Sequence, residues 1–343
     1  MSSPERVGKL GGMGRRRTGG SWARRRSRLG VAVIAVLMVS LVGGSAPADD
    51  NLARRAPMVG VRAAVGPGMY VALGDSFSAG PSIPNQIRES GGCQRSDHNY
   101  SHLVAETLGL TLRDVTCSGA ETADMTSPQD VHPDPHMPQL DALGPETRVV
   151  TIGIGGNDIG FAEIVATCTT IFPWETPCRD RYLAGGADEL SRRIDATAPR
   201  VAAVLAEIGR RSPDATVFVV GYPSIVPDEG YGCWPSLPFA FDDVPYLRAK
   251  HKELNDMLAA QAQEAGAVYV DTYDASIGRD ACTLPLDRWV EPLVPLSPAA
   301  PVHPNAAGME GMAAEVEAEV KDAGGITTAG RSAERATSTT TGG

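Results

Sequence analysis

Four short segments of the chain carry residue types that could perform nucleophilic chemistry: Gly74–Ser78, Cys117–Ala120, Gly153–Asp158 and Pro301–Asn305. Together they hold a serine, a histidine, an asparagine and several glycines, each at the border of a predicted strand or helix. A serine hydroxyl can attack a carbonyl carbon once an imidazole takes its proton. Amide N–H groups nearby can then stabilise the oxyanion that develops.

Ser76 and His303 are the candidate nucleophile and general base. Ser76 lies in a tight turn after the apolar run Met69–Leu73, where a helix N-terminus favours developing negative charge. Taken alone, this turn is also compatible with a simple helix cap. His303 lies between two prolines ahead of a predicted helix, so its position is fixed, as a general base requires. The other histidines are expected on the surface: His98, His102, His132, His136 and His251.

Gly119 and Asn157 are the candidate donors to an oxyanion. Glycine allows the backbone to approach a ligand closely, and the asparagine amide could donate a hydrogen bond. Each is also compatible with an ordinary turn. The glycines that begin at Gly153 do not form a dinucleotide-binding loop, because Asp158 stands where the third glycine of G-x-G-x-x-G belongs.

The elements that position these residues alternate between strand and helix. Short apolar runs predict strands at Met69–Leu73, Leu112–Thr116, Arg148–Ile154, Thr216–Gly221 and Ala267–Asp271. Helical patterns cover Tyr100–Leu108, Ala187–Arg211, Tyr246–Ala265 and Ala306–Val320, the last capped by Asn305. The alternation predicts an α/β fold: a three-layer α/β/α sandwich with a central parallel sheet of about five strands. Ligands bind such sheets beyond the carboxyl ends of the strands.

A targeting segment precedes this domain. The basic cluster Arg24–Arg28 is followed by the apolar run Leu29–Val42, which suits a signal-peptide core and is short for a membrane span. Ala46–Ala48 supplies a small-residue cleavage pattern. We therefore expect residues 1–48 to be a signal peptide and the mature protein to be secreted, without stable membrane insertion. An uncleaved anchor is the alternative, and the paired arginines leave Sec and twin-arginine export both open.

The remaining boundaries follow from composition. Residues 49–68 are irregular and predict a flexible lead-in, residues 69–325 form one predicted domain, and residues 326–343 are typical of a disordered tail. The chain has a formal net charge of −10, but residues 1–48 hold nine of its 31 Lys and Arg residues and one acid. Because the rest is strongly acidic, we expect no nucleic-acid partner.

Six cysteines lie after the cleavage site, and an even number in an exported chain indicates disulfides. Six cysteines allow 15 pairings, among which the sequence does not choose. Sequential pairing closes the shortest loops, so we expect Cys93–Cys117, Cys168–Cys178 and Cys233–Cys282. No metal site is expected, because Cys-x-x-Cys and Cys-x-x-His spacings are absent.

Taken in order, the GDS, GGND and HPN motifs at Gly74, Gly155 and His303, together with Gly119, resemble the four blocks of the SGNH (GDSL) hydrolase superfamily. The similarity spans roughly Tyr70 to Met312, and the export signal and six cysteines resemble its secreted actinobacterial lipase and esterase branch. It implies an SGNH, flavodoxin-like domain over residues 69–325. It also implies an enzyme that needs no metal or cofactor.

The resemblance implies acyl transfer. Ser76 would attack an ester carbonyl while His303 takes its proton, and Ser76 N–H, Gly119 N–H and the Asn157 amide would form the oxyanion hole. Many relatives carry an aspartate three residues before the histidine, where this chain has Ala300. We therefore expect a dyad whose imidazole is oriented by the main-chain carbonyl of Ala300 (or Pro301). Asp287 or Glu291 acting from a distance is the competing hypothesis.

The predicted function is that of a secreted serine carboxylester hydrolase, a lipase or esterase acting on an ester or lipid substrate as a monomer. Three loops, Ser82–Ile87, Ile159–Ile164 and Cys233–Phe241, are apolar enough to form an acyl-chain groove, or simply to pack the core. Alternatives are a phospholipase A-type enzyme, a polysaccharide acetyl esterase, or a non-catalytic binding protein on the same fold.

Overall fold

The computed structural model describes residues 68–324. The predicted signal peptide (1–48), the lead-in up to residue 67 and the predicted tail (326–343) lie outside the described residues. Among the helices that are described, none is both long and apolar enough to cross a bilayer.

One parallel sheet of five strands organises the domain, in the order β2-β1-β3-β4-β5. The strands are β1 Met69–Gly74, β2 Thr111–Asp114, β3 Thr147–Gly153, β4 Thr216–Val220 and β5 Val268–Val270. The α/β prediction is confirmed. The edge strands β2 and β5 are the shortest and least buried, while the residues of β1 after Met69 are buried without exception.

Helices cover both faces of the sheet. They are α1 Ser76–Ala79, α2 Tyr100–Leu108, α3 Phe161–Cys168, α4 Pro177–Tyr182, α5 Glu189–Arg211, α6 Asp243–Glu264, α7 Thr272–Ala275 and α8 Ala306–Gly324, with short 3₁₀ turns at Arg88–Cys93, Thr122–Met125 and Gln139–Ala142. Alternation along β1 separates two apolar clusters: Val71 and Leu73 pack towards α5 and α6, whereas Tyr70 and Ala72 pack towards α2 and α8. The result is the expected three-layer sandwich.

Caps explain where two of these helices begin. Asp188 accepts the N–H of Leu190, so α5 starts at Glu189, two residues after the predicted start. Asn305 Oδ1 accepts the N–H of Gly308 at 3.0 Å, which makes it the expected cap of α8. The helix α8 runs four residues past its predicted end and keeps Val320 and Ala323 buried.

Three disulfides close the long loops. They join Cys93 to Cys117, Cys168 to Cys178, and Cys233 to Cys282, the sequential pairing. The first ties the 3₁₀ turn Arg88–Cys93 to the segment that follows β2. The second links the end of α3 to α4. The loops that surround the carboxyl ends of the strands are therefore covalently braced.

Candidate active site

Ser76 lies at the carboxyl end of β1, as the first residue of α1. The side chain of Asp75 caps that helix by accepting the N–H of Phe77 at 2.9 Å. Gly74 makes the turn possible: its φ is +144°, and an added Cβ would lie 2.5 Å from Ser78 Oγ and 2.6 Å from the Gly153 carbonyl oxygen. The side-chain amide of Gln139 pairs with both backbone polar groups of Gly74, at 2.8 and 3.0 Å.

His303 reaches Ser76 across 227 residues of sequence: its Nε2 lies 2.7 Å from Ser76 Oγ. Its Nδ1 lies 2.7 Å from the carbonyl oxygen of Pro301. Because a carbonyl can only accept, Nδ1 carries the proton and Nε2 is free to accept the serine proton. The orienting carbonyl is thus that of Pro301 and not that of Ala300, which instead accepts the backbone N–H of His303 at 3.3 Å.

The imidazole of His303 lies between two aromatic rings. The ring of Phe77 is 4.9 Å from it, centre to centre, and Phe161 meets it edge-on at 5.6 Å. Burial lowers the pKa of His303 below its ordinary value, and the bond to Pro301 offsets this only in part. The neutral imidazole, which is the form that can accept a proton, therefore persists to lower pH than it does in an ordinary histidine.

Neither Asp287 nor Glu291, the carboxylates of the competing hypothesis, has its side chain hydrogen-bonded to the His303 ring. Asp287 is exposed on a loop. The buried Glu291 carboxylate accepts the Asn305 amide at 2.8 Å and the N–H groups of Leu296 and Ser297 at 2.9 and 3.3 Å. Its backbone N–H donates to the His303 carbonyl at 3.0 Å, so Glu291 braces the loop that carries the histidine.

The two candidate oxyanion donors lie beside each other. Asn157 follows β3, and its side-chain amide donates to the carbonyl of Ala120 at 2.9 Å, next to Gly119. The segment of Gly119 is in turn tied to β1 by the bond from Cys117 N–H to the Gly74 carbonyl, at 2.9 Å. Within residues 68–324, neither the N–H of Gly119 nor that of Ser76 has a protein acceptor. Both remain available to a ligand oxygen.

Tyr222, at the carboxyl end of β4, was not among the residues that the sequence singled out. Its hydroxyl donates to Asp75 Oδ2 at 2.5 Å and accepts the N–H of Gly156 at 2.9 Å. Desolvation raises the pKa of Asp75 from its ordinary 3.8 to about 7, although the Tyr222 bond opposes the shift. The available signal was position, because Tyr222 follows a strand at the same edge of the sheet as Ser76 and Asn157.

Ser76 and Asn157 line an apolar cavity of about 90 Å³. Its apolar walls include Ile159, Phe161, Ile164, Leu190, Phe239 and Leu254, and His251 and Lys250 also line it. Two of the three apolar loops in the sequence thus contribute to it, while Ser82–Ile87 does not. His102, His136 and His251 are half-buried and not surface residues, whereas His98 and His132 are exposed as expected. His251 packs against Tyr273, and burial lowers its pKa to about 4.

One cluster in residues 68–324 has atoms close enough together to suggest a metal site, formed by Cys93, Cys117 and His136. Both cysteines belong to a disulfide, so their sulfurs are not thiolates. That cluster is therefore a covalent brace and not a ligand set.

Comparison with known proteins places this geometry in a family. The model of the GDSL-like lipase/acylhydrolase family matches residues 72–310. Lipase 2 of Streptomyces coelicolor is 43% identical over 250 residues, which cover 71% of this chain and 83% of that protein. An esterase of Streptomyces scabiei is 31% identical over 247 residues, covering 62% and 72%. The chain belongs to this family and is a carboxylic ester hydrolase.

Solved structures agree with the fold. An extracellular lipase from Streptomyces rimosus superimposes with a TM-score of 0.62 at 27% identity, over 73% of this chain and 99% of the other. Phospholipase A1 from Streptomyces albidoflavus gives a TM-score of 0.61 at 26% identity, over 74% and 99%. The described domain therefore spans nearly the whole of each of these enzymes.

Proposed function

We propose that the protein hydrolyses acyl esters through a covalent acyl-enzyme on Ser76, with His303 as its general base. The single observation that carries this proposal is the 2.7 Å contact between Ser76 Oγ and His303 Nε2. It is the contact that nucleophile and base require before proton transfer.

The reaction follows from the positions of these groups. Ser76 Oγ attacks the ester carbonyl carbon as His303 takes its proton, giving a tetrahedral oxyanion that Ser76 N–H, Gly119 N–H and the Asn157 amide stabilise. His303 returns the proton to the leaving alcohol, and the C–O bond breaks. Water then attacks the acyl-enzyme with the same base, releasing the acid and restoring the Ser76 hydroxyl. The Pro301 carbonyl keeps Nε2 directed at Ser76 throughout.

The cavity favours an acyl chain as the group that is held. Since a water-sized group needs roughly 10–15 Å³, about 90 Å³ has room for several such groups, which suits a short part of an acyl chain. Burial of each methylene group against apolar walls contributes about 0.8 kcal/mol of favourable free energy. A monoacyl ester is the first substrate to test, and a phospholipid the second, because one structural relative is a phospholipase A1.

We further propose that the enzyme is exported, with residues 1–48 removed after Ala48. Three disulfides and the Streptomyces relatives support an oxidising, extracellular location. Protein recovered from the culture medium should begin at Asp49, which N-terminal sequencing would show. A chain retained in the cell pellet with residues 1–48 intact would favour the uncleaved anchor.

The decisive experiment compares the mature protein with its Ser76→Ala variant on p-nitrophenyl esters from acetate to palmitate. We expect the wild type to prefer short to medium chains and Ser76→Ala to be inactive. Asn157→Ala should lose about 10²–10³ in kcat if its amide stabilises the oxyanion. Activity retained by Ser76→Ala would overturn the mechanism.

An organophosphonate probe separates the enzyme from a binding protein on the same fold. We expect one label on Ser76 and none in the Ser76→Ala variant. A wild type that is unlabelled and inactive on every ester, including phospholipid vesicles, would favour the non-catalytic alternative.

A further inference from the structure

Two turns of the candidate site are joined by one buried hydroxyl. Tyr222 Oη donates to Asp75 Oδ2 at 2.5 Å, and Asp75 is the residue before Ser76. The same oxygen accepts the N–H of Gly156 at 2.9 Å, and Gly156 is the residue before Asn157. The proposed nucleophile and the proposed oxyanion amide thus each follow a residue that is bonded to this single hydroxyl.

Tyr222 is itself held at its backbone. The side-chain amide of Asn255, on α6, accepts Tyr222 N–H and donates to its carbonyl, both at 2.9 Å. The Tyr222 ring meets Phe77 edge-on at 5.2 Å, and Phe77 in turn contacts the His303 ring. The hydroxyl therefore projects from a fixed base, so it can hold the two turns at a constant separation.

We propose that Tyr222 is a positioning residue for hydrolysis. Its hydroxyl holds the turn of Ser76 and the turn of Asn157 in the relative placement that acyl transfer needs. The inference rests on the proposed function, since it assumes that Ser76 and Asn157 act together. Tyr222 touches neither reacting atom in this arrangement. Its effect should appear in the chemical step and not in substrate binding.

The network requires an ionised Asp75. Its two oxygens accept two donors, Phe77 N–H and Tyr222 Oη–H, and a carboxylate can accept both while a carboxylic acid must itself donate. The charges that act on Asp75 include those of Tyr222 from the end of β4, Asp158 from the turn after β3 and Tyr100 from α2. His251 and Lys250 of α6 line the same cavity as Asp75. Burial and Asp158 raise the pKa of Asp75 while the Tyr222 bond lowers it, so losing the hydroxyl would raise it further.

The test is Tyr222→Phe, which keeps the ring and removes the hydroxyl. We expect kcat to fall about 10–100-fold with KM nearly unchanged, because small misplacements at an active site cost this much. We also expect the acid limb of the kcat profile to move to higher pH. The matched control is Tyr70→Phe, which removes a buried hydroxyl bonded to Thr151 on the opposite face of the sheet. This control should keep wild-type kcat and pH dependence.

Asp75→Asn tests the same network from its other end and stands in if Tyr222→Phe fails to fold. It should also lose kcat about 10–100-fold, and its acid limb should reflect His303 alone. In the double variant the losses should not add, since both changes break one interaction. Additive losses would overturn the inference.

Other outcomes also contradict the inference. A folded Tyr222→Phe with wild-type kcat and an unmoved acid limb overturns it, as does a raised KM at constant kcat. Equal losses in Tyr222→Phe and Tyr70→Phe would show a structural role only. Ser76→Ala is measured in parallel. If it stays active the proposed function fails, whereas an inactive Ser76→Ala beside a fully active Tyr222→Phe defeats this inference alone.

Discussion

His303 is oriented by a neutral acceptor, and this choice has an energetic consequence. The Pro301 carbonyl fixes the ring through Nδ1 at 2.7 Å, but it stabilises an imidazolium less than a carboxylate would. Burial beside two aromatic rings lowers the pKa of His303, and the bond to Pro301 offsets this only in part. In the proposed mechanism the dyad therefore keeps His303 as a free base, and the proposed oxyanion donors supply much of the transition-state stabilisation.

Glu291 provides a test of that assignment, because it is the buried carboxylate on the histidine loop. Glu291→Gln keeps the shape but weakens the bonds to Leu296 N–H, Ser297 N–H and the Asn305 amide. We expect the free energy of unfolding to fall by about 1–3 kcal/mol while kcat changes only a few-fold. Urea denaturation and ester hydrolysis would measure the two effects. A large loss of kcat at unchanged stability would instead indicate that the carboxylate supports His303.

At the scale of elements, the turn between β1 and α1 decides whether Ser76 is presented at all. Gly74→Ala places a Cβ 2.5 Å from Ser78 Oγ and 2.6 Å from the Gly153 carbonyl, in a conformation that L side chains avoid. We expect a loss of several kcal/mol in stability and of most activity, because the clash is resolved by moving the turn. Thermal unfolding and hydrolysis would report both effects.

The matched control for that turn is Gly109→Ala. Gly109 has a φ of +66° but nothing within 4 Å of an added Cβ, so only the backbone preference is lost. That costs about 1–2 kcal/mol and should leave kcat unchanged. Equal effects of the two substitutions would show that crowding at Gly74 does not matter.

The disulfide between Cys93 and Cys117 braces the segment of Gly119. Ser118 N–H donates to the Cys93 carbonyl at 3.0 Å, so the bridge and this bond fix the segment together. Replacing both cysteines by serine should cost about 3 kcal/mol and also lower kcat. The control is the same change at Cys168 and Cys178, a bridge of similar expected worth that joins α3 to α4 and not the segment of Gly119. An equal or greater loss of kcat in the control would contradict this role.

The elements were largely predictable from the sequence, because the strands carry short apolar runs that are followed by turn-forming or polar residues. Each of the five runs became a strand, shifted by no more than two residues at either end.

The sequence could not show that the carbonyl of Pro301, and not that of Ala300, accepts the hydrogen bond from the His303 ring. Val302 adopts a φ of 60°, rare for a β-branched residue, and this local turn places the Pro301 carbonyl against Nδ1. Such a conformation leaves no periodicity or composition signal.

Tyr222 escaped prediction for a different reason. A tyrosine after an apolar strand is ordinary core material, and its role depends on two residues, Asp75 and Gly156, brought near by strands β1 and β3. The strand order that makes them neighbours is a property of the whole sheet. Contacts of this kind follow from topology, so they become visible only once the sheet is assembled.

For the whole molecule, the buried Asp75 carboxylate opposes stability. Its pKa is about 7 in the folded protein against an ordinary 3.8, so the folded state binds the proton more tightly than the unfolded chain does. Its contribution to stability is therefore present below about pH 4 and is lost as pH rises through 7. A shift of this size corresponds to roughly 4 kcal/mol at most. Ionisation of Asp75, which the network proposed to position Ser76 requires, thus lowers the free energy of unfolding.

Asp75→Asn should remove this pH dependence, because an amide does not titrate. We expect the variant to gain stability relative to the wild type between pH 4 and pH 8, by up to a few kcal/mol, even though it loses activity. Urea unfolding of both proteins across that range would measure the difference, in which titrations common to both proteins cancel. A difference that stays constant with pH would show that Asp75 titrates normally in the folded protein. The ionised Asp75 in the network proposed at Tyr222 would then not lower the stability of the folded protein.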